Sequence, residues 1–149
     1  MNRFRHGILY AGPVLAYAAL IFLVSSIAKF PDSTPSFFGA DKLAHFVEYG
    51  LFGLLISRWL HSLTKPFFKL HAFWITSAFG ILYGLSDEWH QSFILGREAS
   101  LWDVLFDGLG TLTAAGIYLL LRERTRARNR GENIPETEVM HEQKTGHHH

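Results

Sequence analysis

Residues 84–107 read GLSDEWHQSFILGREASLWDVLFD, and the rest of the chain is arranged around them. The stretch gathers Asp87, Glu88, His90, Gln91, Arg97, Glu98, Asp103 and Asp107 between two long apolar runs. One other stretch has a similar character, Asp41-Lys42-Leu43-Ala44-His45-Phe46-Val47-Glu48-Tyr49. Ionisable side chains inside membrane helices are expensive and turn toward one another rather than toward lipid. The two stretches are therefore expected to meet and to form the working site.

Outward from this centre the chain is a series of apolar blocks. At 149 residues it is one domain by length, 48% of the residues are hydrophobic, and it has no cysteine, which excludes disulfide and thiolate chemistry. A short basic start with Arg3, Arg5 and His6 leads into the apolar run 7–28, about 33 Å long as a helix and enough to span a hydrocarbon core. Ser26-Ile27-Ala28 could serve a signal peptidase. The run is longer than a usual signal core and more membrane segments follow, so a retained helix is expected.

The loop 29–40 carries two prolines and a glycine, and Asp41 is placed to cap a second helix over 42–60. Trp59, Phe67 and Phe68 suit an aromatic girdle around the next turn. Thr64-Lys65-Pro66 can open a third helix, from 67 to about 89, in which Gly80 and Gly84 form a GxxxG pair for close helix approach. After the loop 92–99, Ser100 and Asp103 form a variant capping box ahead of a fourth helix over 101–121. Five arginines follow in 122–130, and the remainder is polar and aperiodic. Residues 1–121 thus read as one transmembrane domain. Residues 122–149 read as a basic, then polar, disordered tail ending in a partial histidine tag, His147 to His149, that is kept out of all metal reasoning.

The fold class expected is an all-α membrane protein, a bundle of four transmembrane helices. If they alternate, eleven of the fourteen Lys and Arg residues fall on the side of the two termini and only Lys29, Lys42 and Arg97 on the other. The positive-inside rule then makes both termini cytoplasmic and puts the polar site at the outer end. The expected location is the bacterial inner (cytoplasmic) membrane, crossed several times.

Spacing places the polar residues in stripes. Lys42, His45 and Glu48 or Tyr49 lie on one face of the second helix, Asp87 and Gln91 on one face of the third, and Ser100, Asp103 and Asp107 on one face of the fourth. Bland readings compete: Asp41, Ser100 and Asp103 as caps, Lys42 as a snorkelling interface residue, Glu98 as a solvated loop charge, and Lys29, Asp32, His61 and His71 without a role. A salt-bridge network that only glues helices together would fit the remaining residues as well. If the cluster works on a ligand, Asp87, Glu88 and His45 are the candidate acid–base groups. The candidate substrate-binding residues are Lys42, Glu48, Tyr49, Gln91, Arg97, Asp103 and Asp107, with Arg97 and Lys42 suited to a phosphate or carboxylate. His45, Glu48, Asp87, His90 and Asp107 could also donate to a metal. They lack a metal-site spacing, and the nearby cations would oppose a divalent ion, so no metal and no cofactor is expected.

These residues also carry a resemblance. The Asp41-Lys42-x-x-His45-Phe46 opening of the second helix, with Tyr49 after it, and then Asp87-Glu88, Gln91, Gly96-Arg97, Asp103 and Gly110 resemble the VanZ-like membrane proteins. The likeness covers about 7–121. It departs at Asp107, where such proteins often have asparagine. What the resemblance implies is a small polytopic envelope protein, in some members linked to glycopeptide (teicoplanin) tolerance. The leading expectation is action on an anionic, lipid-linked cell-envelope component at the outer leaflet. The same residues fit a non-catalytic module that binds or scaffolds lipid or antibiotic, or a small oligomeric transporter, and the sequence does not decide whether anything is turned over. Expected partners are membrane lipids and that anionic component or a lipoglycopeptide, with no nucleic acid; an oligomer is compatible.

The topology has a direct check. Because the chain has no native cysteine, single cysteines at Ser36 or Ser92 are expected to react with an impermeant thiol reagent in intact cells, and one at Ser62 to stay unlabelled. Labelling at Ser62 alone would invert the orientation.

Overall fold

A computed structural model describes residues 3–27 and 39–132. Among them the chain is helical throughout: α1 (Arg3–Ser25), α2 (Ala40–Ser62), α3 (Pro66–Leu70), α4 (Ala72–Gln91) and α5 (Leu101–Glu132). The chain divides into two compact units, Met1–Tyr118 and Leu119–His149. The expected first loop, Lys29 and Asp32 within it, and the tail beyond 132 with its histidines lie outside the described residues.

In the first unit α2 is central. Tyr49, Phe52, Ile56 and Leu60 recur at helical spacing and are buried, joined by Val14 and Ile21 of α1 and Ala72 of α4. The Phe52 ring lies 6.3 Å from Tyr17 and 5.2 Å from Tyr83, so one aromatic side chain connects α1, α2 and α4. Polar bonds tie the same helices: Tyr83 donates to the Ala18 carbonyl at 2.6 Å, and Ser57 and Thr76 share a bond of 3.3 Å.

The approach of α5 is set by small residues. A Cβ on Gly80 would strike the side chain of Thr111, and one on Gly84 would come within 2.8 Å of Asp107 Oδ2. The GxxxG pair therefore does meet a neighbour, and the residues seated on it are Asp107 and Thr111, one turn apart. On the other side Gly110 lies against the backbone of Phe46, and Gly53 lies under Thr111. Without a strong hydrophobic drive between helices in lipid, such close backbone packing is what holds a seam.

Two helices are long and apolar enough to cross a membrane, over Phe4–Ser25 and Leu101–Arg130. Helices α2 and α4 are more polar, and part of that polarity is buried: His45, Ser57 and His61 in α2, and Thr76, Asp87, Glu88 and Gln91 in α4.

Several boundaries differ from those expected. Asp41 does not cap α2; Gly39, at φ 105°, does so without a side-chain bond, and Asp41 sits inside the first turn. The third helix is split at His71, whose backbone N–H and ring Nδ1 both lie 3.0 Å from the Phe67 carbonyl. Pro66 does occupy the first turn of α3. Helix α5 runs on through the arginines to Glu132 rather than ending at 121. Arg, Glu and Ala are good helix formers, and extending an existing helix needs no new nucleus. Arg126 pairs with Glu123 at 3.3 Å within this extension.

The seam predicts two opposite outcomes. Gly110→Ala places a methyl against the Phe46 carbonyl and is expected to destabilise by about 1–3 kcal/mol. Gly116→Ala has open space and is expected to stabilise by up to about 1 kcal/mol through helix propensity. Thermal unfolding in detergent reads both.

Candidate functional site

The deepest charged group is Asp107, which has no exposed surface. It projects from α5 toward α2, where His45 Nδ1 donates to its Oδ1 at 3.0 Å. A carboxylate only accepts, so Nδ1 carries the proton and Nε2 faces the other way. Nε2 lies 3.9 Å from Asp103 Oδ2, one turn of α5 nearer its start. Asp103 in turn bonds Lys42 through Oδ1, and Lys42 also reaches Asp41 Oδ2 at 3.4 Å. The stripes on α2 and α5 thus zip into one array, Lys42–Asp103–His45–Asp107. Asp103 is not the reciprocating half of a capping box. At the start of α5 it is the Ser100 amide that is bonded, to Glu88 Oε2 of α4 at 2.7 Å.

A second branch runs toward α1. Asp87 accepts from Ser25 Oγ at 2.6 Å and from Gln91 Nε2 at 2.9 Å. The other end of the Gln91 amide accepts from Arg97 Nη1 at 3.2 Å. Arg97 then closes on the end of α1, donating from Nη2 to the Val24 carbonyl at 3.2 Å and from Nε to the Ile27 carbonyl at 3.3 Å. A cation at a helix C-terminus satisfies orphan carbonyls and complements the helix dipole. The turn that aims it needs Gly96, at φ 76°, with the Arg97 amide bonded to the Ile94 carbonyl at 3.1 Å.

Between the two branches lies a cavity of about 570 Å³. Its walls are Asp41, Lys42 and His45 from α2, Gln91 from α4, Gly96, Arg97, Glu98 and Ser100 from the loop, and Asp103 from α5. Of the expected site residues, Lys42, His45, Gln91, Arg97 and Asp103 reach it. Asp107, Asp87 and Glu88 do not line it; the first holds His45, the second holds Gln91, and the third holds the loop before α5. Tyr49 is fully buried with its hydroxyl unpartnered, and its carbonyl accepts from Thr111 at 3.3 Å. Glu48 is half-buried and does not line the cavity. His90 turns to α1, bonding Ser26 at 2.9 Å and stacking on Phe22.

The metal question changes its residues. Among the described residues Glu48, Asp87 and His90 form no such group, whereas Asp41, His45 and Asp103 can each bring a ligand atom within 4.8 Å of the others. Those are the residues that could hold an ion. The Lys42 ammonium already lies on both aspartates, so a cation there would compete with it.

Ser25, Glu98 and Gly96 were not selected as site residues from the sequence. The neighbouring Ser26-Ile27-Ala28 reads only as a stretch of small residues that could serve a peptidase. Glu98 is exposed, as a solvated loop charge would be, and still forms part of the wall.

A helical bundle with membrane-type helices that encloses a mixed-charge cavity defines a small integral membrane protein with an internal polar site. Residues 9–122 match the model of the family described as VanZ/LLP1, and the chain belongs to this VanZ-like family. No curated protein and no solved structure matches the chain.

His45 and Glu88 predict different responses to substitution. His45→Ala leaves Asp107 buried and unpaired, and is expected to destabilise by about 3–5 kcal/mol. Glu88→Gln keeps an oxygen for the Ser100 amide while removing a buried charge whose Oε1 has no partner, so thermal stability is expected to hold or rise. Equal losses in both would make the cluster helix glue.

Proposed function

We propose that this protein spans the bacterial inner membrane four times with both termini cytoplasmic. Its cavity, at the outer end, takes the anionic group of a lipid-linked cell-envelope component. The observation that carries the reading is the wall of the cavity. Lys42 of α2 and Arg97 of the loop before α5 both line it, together with His45, which is held through Nδ1 by Asp107. A guanidinium and an ammonium facing one space suit a phosphate or carboxylate.

The chemistry available is proton exchange. An imidazole held through Nδ1 by a buried carboxylate has its other nitrogen oriented for general acid–base work, the arrangement used in hydrolytic triads. His45 therefore takes the acid–base role, with Asp107 as its positioning residue and Asp103 beside Nε2. Asp87 and Glu88, first candidates from the sequence, act through Gln91 and the Ser100 loop instead. Sequestration of the same component without turnover uses the same cations and leaves His45 as a hydrogen-bond donor. Glycopeptide tolerance follows from either version, because both change the envelope surface that a lipoglycopeptide meets.

The test is lipid profiling of the purified protein before and after incubation with envelope lipids. The wild type is expected to retain an anionic lipid-linked species and convert it, His45→Gln to retain it unconverted, and Arg97→Gln to lose it. Cells expressing the wild type are expected to survive higher teicoplanin than cells expressing Arg97→Gln. Retention of zwitterionic lipid alone would overturn the reading.

A further inference from the structure

Beside the polar cavity, between the first turns of α2 and α5, lies a second hollow of about 630 Å³ with a different lining. Leu43, Phe46, Trp102 and Phe106 make its walls, and Lys42 and Ser100 belong to both hollows. Leu43 and Trp102 are largely exposed, so the hollow is open on the outer surface of the bundle. Lys42 spans the junction. Its aliphatic stem lines the apolar side and its ammonium reaches Asp103 on the polar side, the usual division of a lysine between two media.

We infer that this groove seats the hydrocarbon chain of a phosphate-headed membrane lipid whose head enters the polar cavity over Lys42. The inference rests on the reading of the cavity as an anion site and adds how the ligand is held and from where it enters. Three observations fix the occupant. The groove shares Lys42 and Ser100 with a cavity that also carries Arg97, so a ligand reaching over Lys42 into both is an amphiphile with an anionic end. The groove wall is hydrocarbon and aromatic apart from Lys42, Ser100 and the Gly39 backbone, which suits a chain and offers little to a polar one. The groove lies between the first turns of α2 and α5, beside the exposed Leu43 and Trp102, and so offers a lipid chain an apolar lip to enter over. Trp102 at the lip is the residue type that favours such an apolar–polar boundary.

The groove is read by fluorescence. In the full-length chain Trp59, Trp74 and Trp89 are replaced by phenylalanine so that Trp102 alone reports. The protein is reconstituted in phosphatidylcholine bilayers containing a small fraction of brominated-chain phosphatidic acid or brominated-chain phosphatidylcholine. Phosphatidic acid is expected to quench Trp102 several-fold more than phosphatidylcholine at the same mole fraction. Lys42→Gln is expected to remove that excess. Because losing Lys42 leaves Asp103 unpaired and can harm folding, Leu43→Asn is the second variant. It changes an exposed position without changing charge, and it too should remove the excess. Glycerol 3-phosphate, a head without a chain, separates the two ideas. A raised Tm with equal quenching by both lipids overturns the groove and keeps the anion site. Equal quenching with no shift in Tm overturns both. Disulfide-linked dimers of Leu43→Cys, with equal quenching, would give the groove to a second copy of the chain and overturn the proposal.

Discussion

A carboxylate sealed from water has to be balanced by the protein around it, and in this fold that group is Asp107. One oxygen is met by His45, and the other lies over Gly84, where a Cβ would meet it at 2.8 Å. Those two relations constrain much of the rest. Gly84 has to lack a side chain, and with Gly80 it sets how close α4 comes to α5. His45 has to present Nδ1 inward, which turns Nε2 toward Asp103 and the cavity. Lys42 then offsets Asp103. An interior charge thereby sets the orientation of groups at the cavity wall.

The other half of the site is built on α1. Asp87 faces Ser25 there, and Arg97 closes on the last carbonyls of the same helix. Gln91 ties this half together because a single amide can donate to Asp87 and accept from Arg97. The cavity is therefore held from both sides by groups that do not line it. The aromatic contacts of Phe52 and the small-residue seam keep the helices in place beneath.

Much of this was legible in the sequence, and the illegible parts have physical reasons. The stripes Lys42–His45 and Asp103–Asp107 followed from helical spacing, and the structure brings them together. Asp87 and Asp107 looked alike, each an acid on a helix with a polar companion nearby. Only tertiary packing decides that one meets a serine of α1 and the other a histidine of α2. The GxxxG pair announced a close neighbour without naming it. Helix ends were the weakest point: Gly39 took the cap expected of Asp41, and the expected third helix is divided at His71. The arginine run had no apolar period, so spacing could not reveal a helix that continued by propagation alone.

Arginine at position 97 has a consequence that lies in counting protons. A guanidinium has five N–H groups, and three of them are engaged here, on Val24, Ile27 and Gln91. Two remain. A lysine in the same place has only three N–H groups in total, so the duties of bracing α1 and holding the glutamine would consume them all. The residue can therefore serve as a fastener and still keep a hand free for whatever enters the cavity, and among the side chains of proteins only this one combines a permanent charge with that many donors.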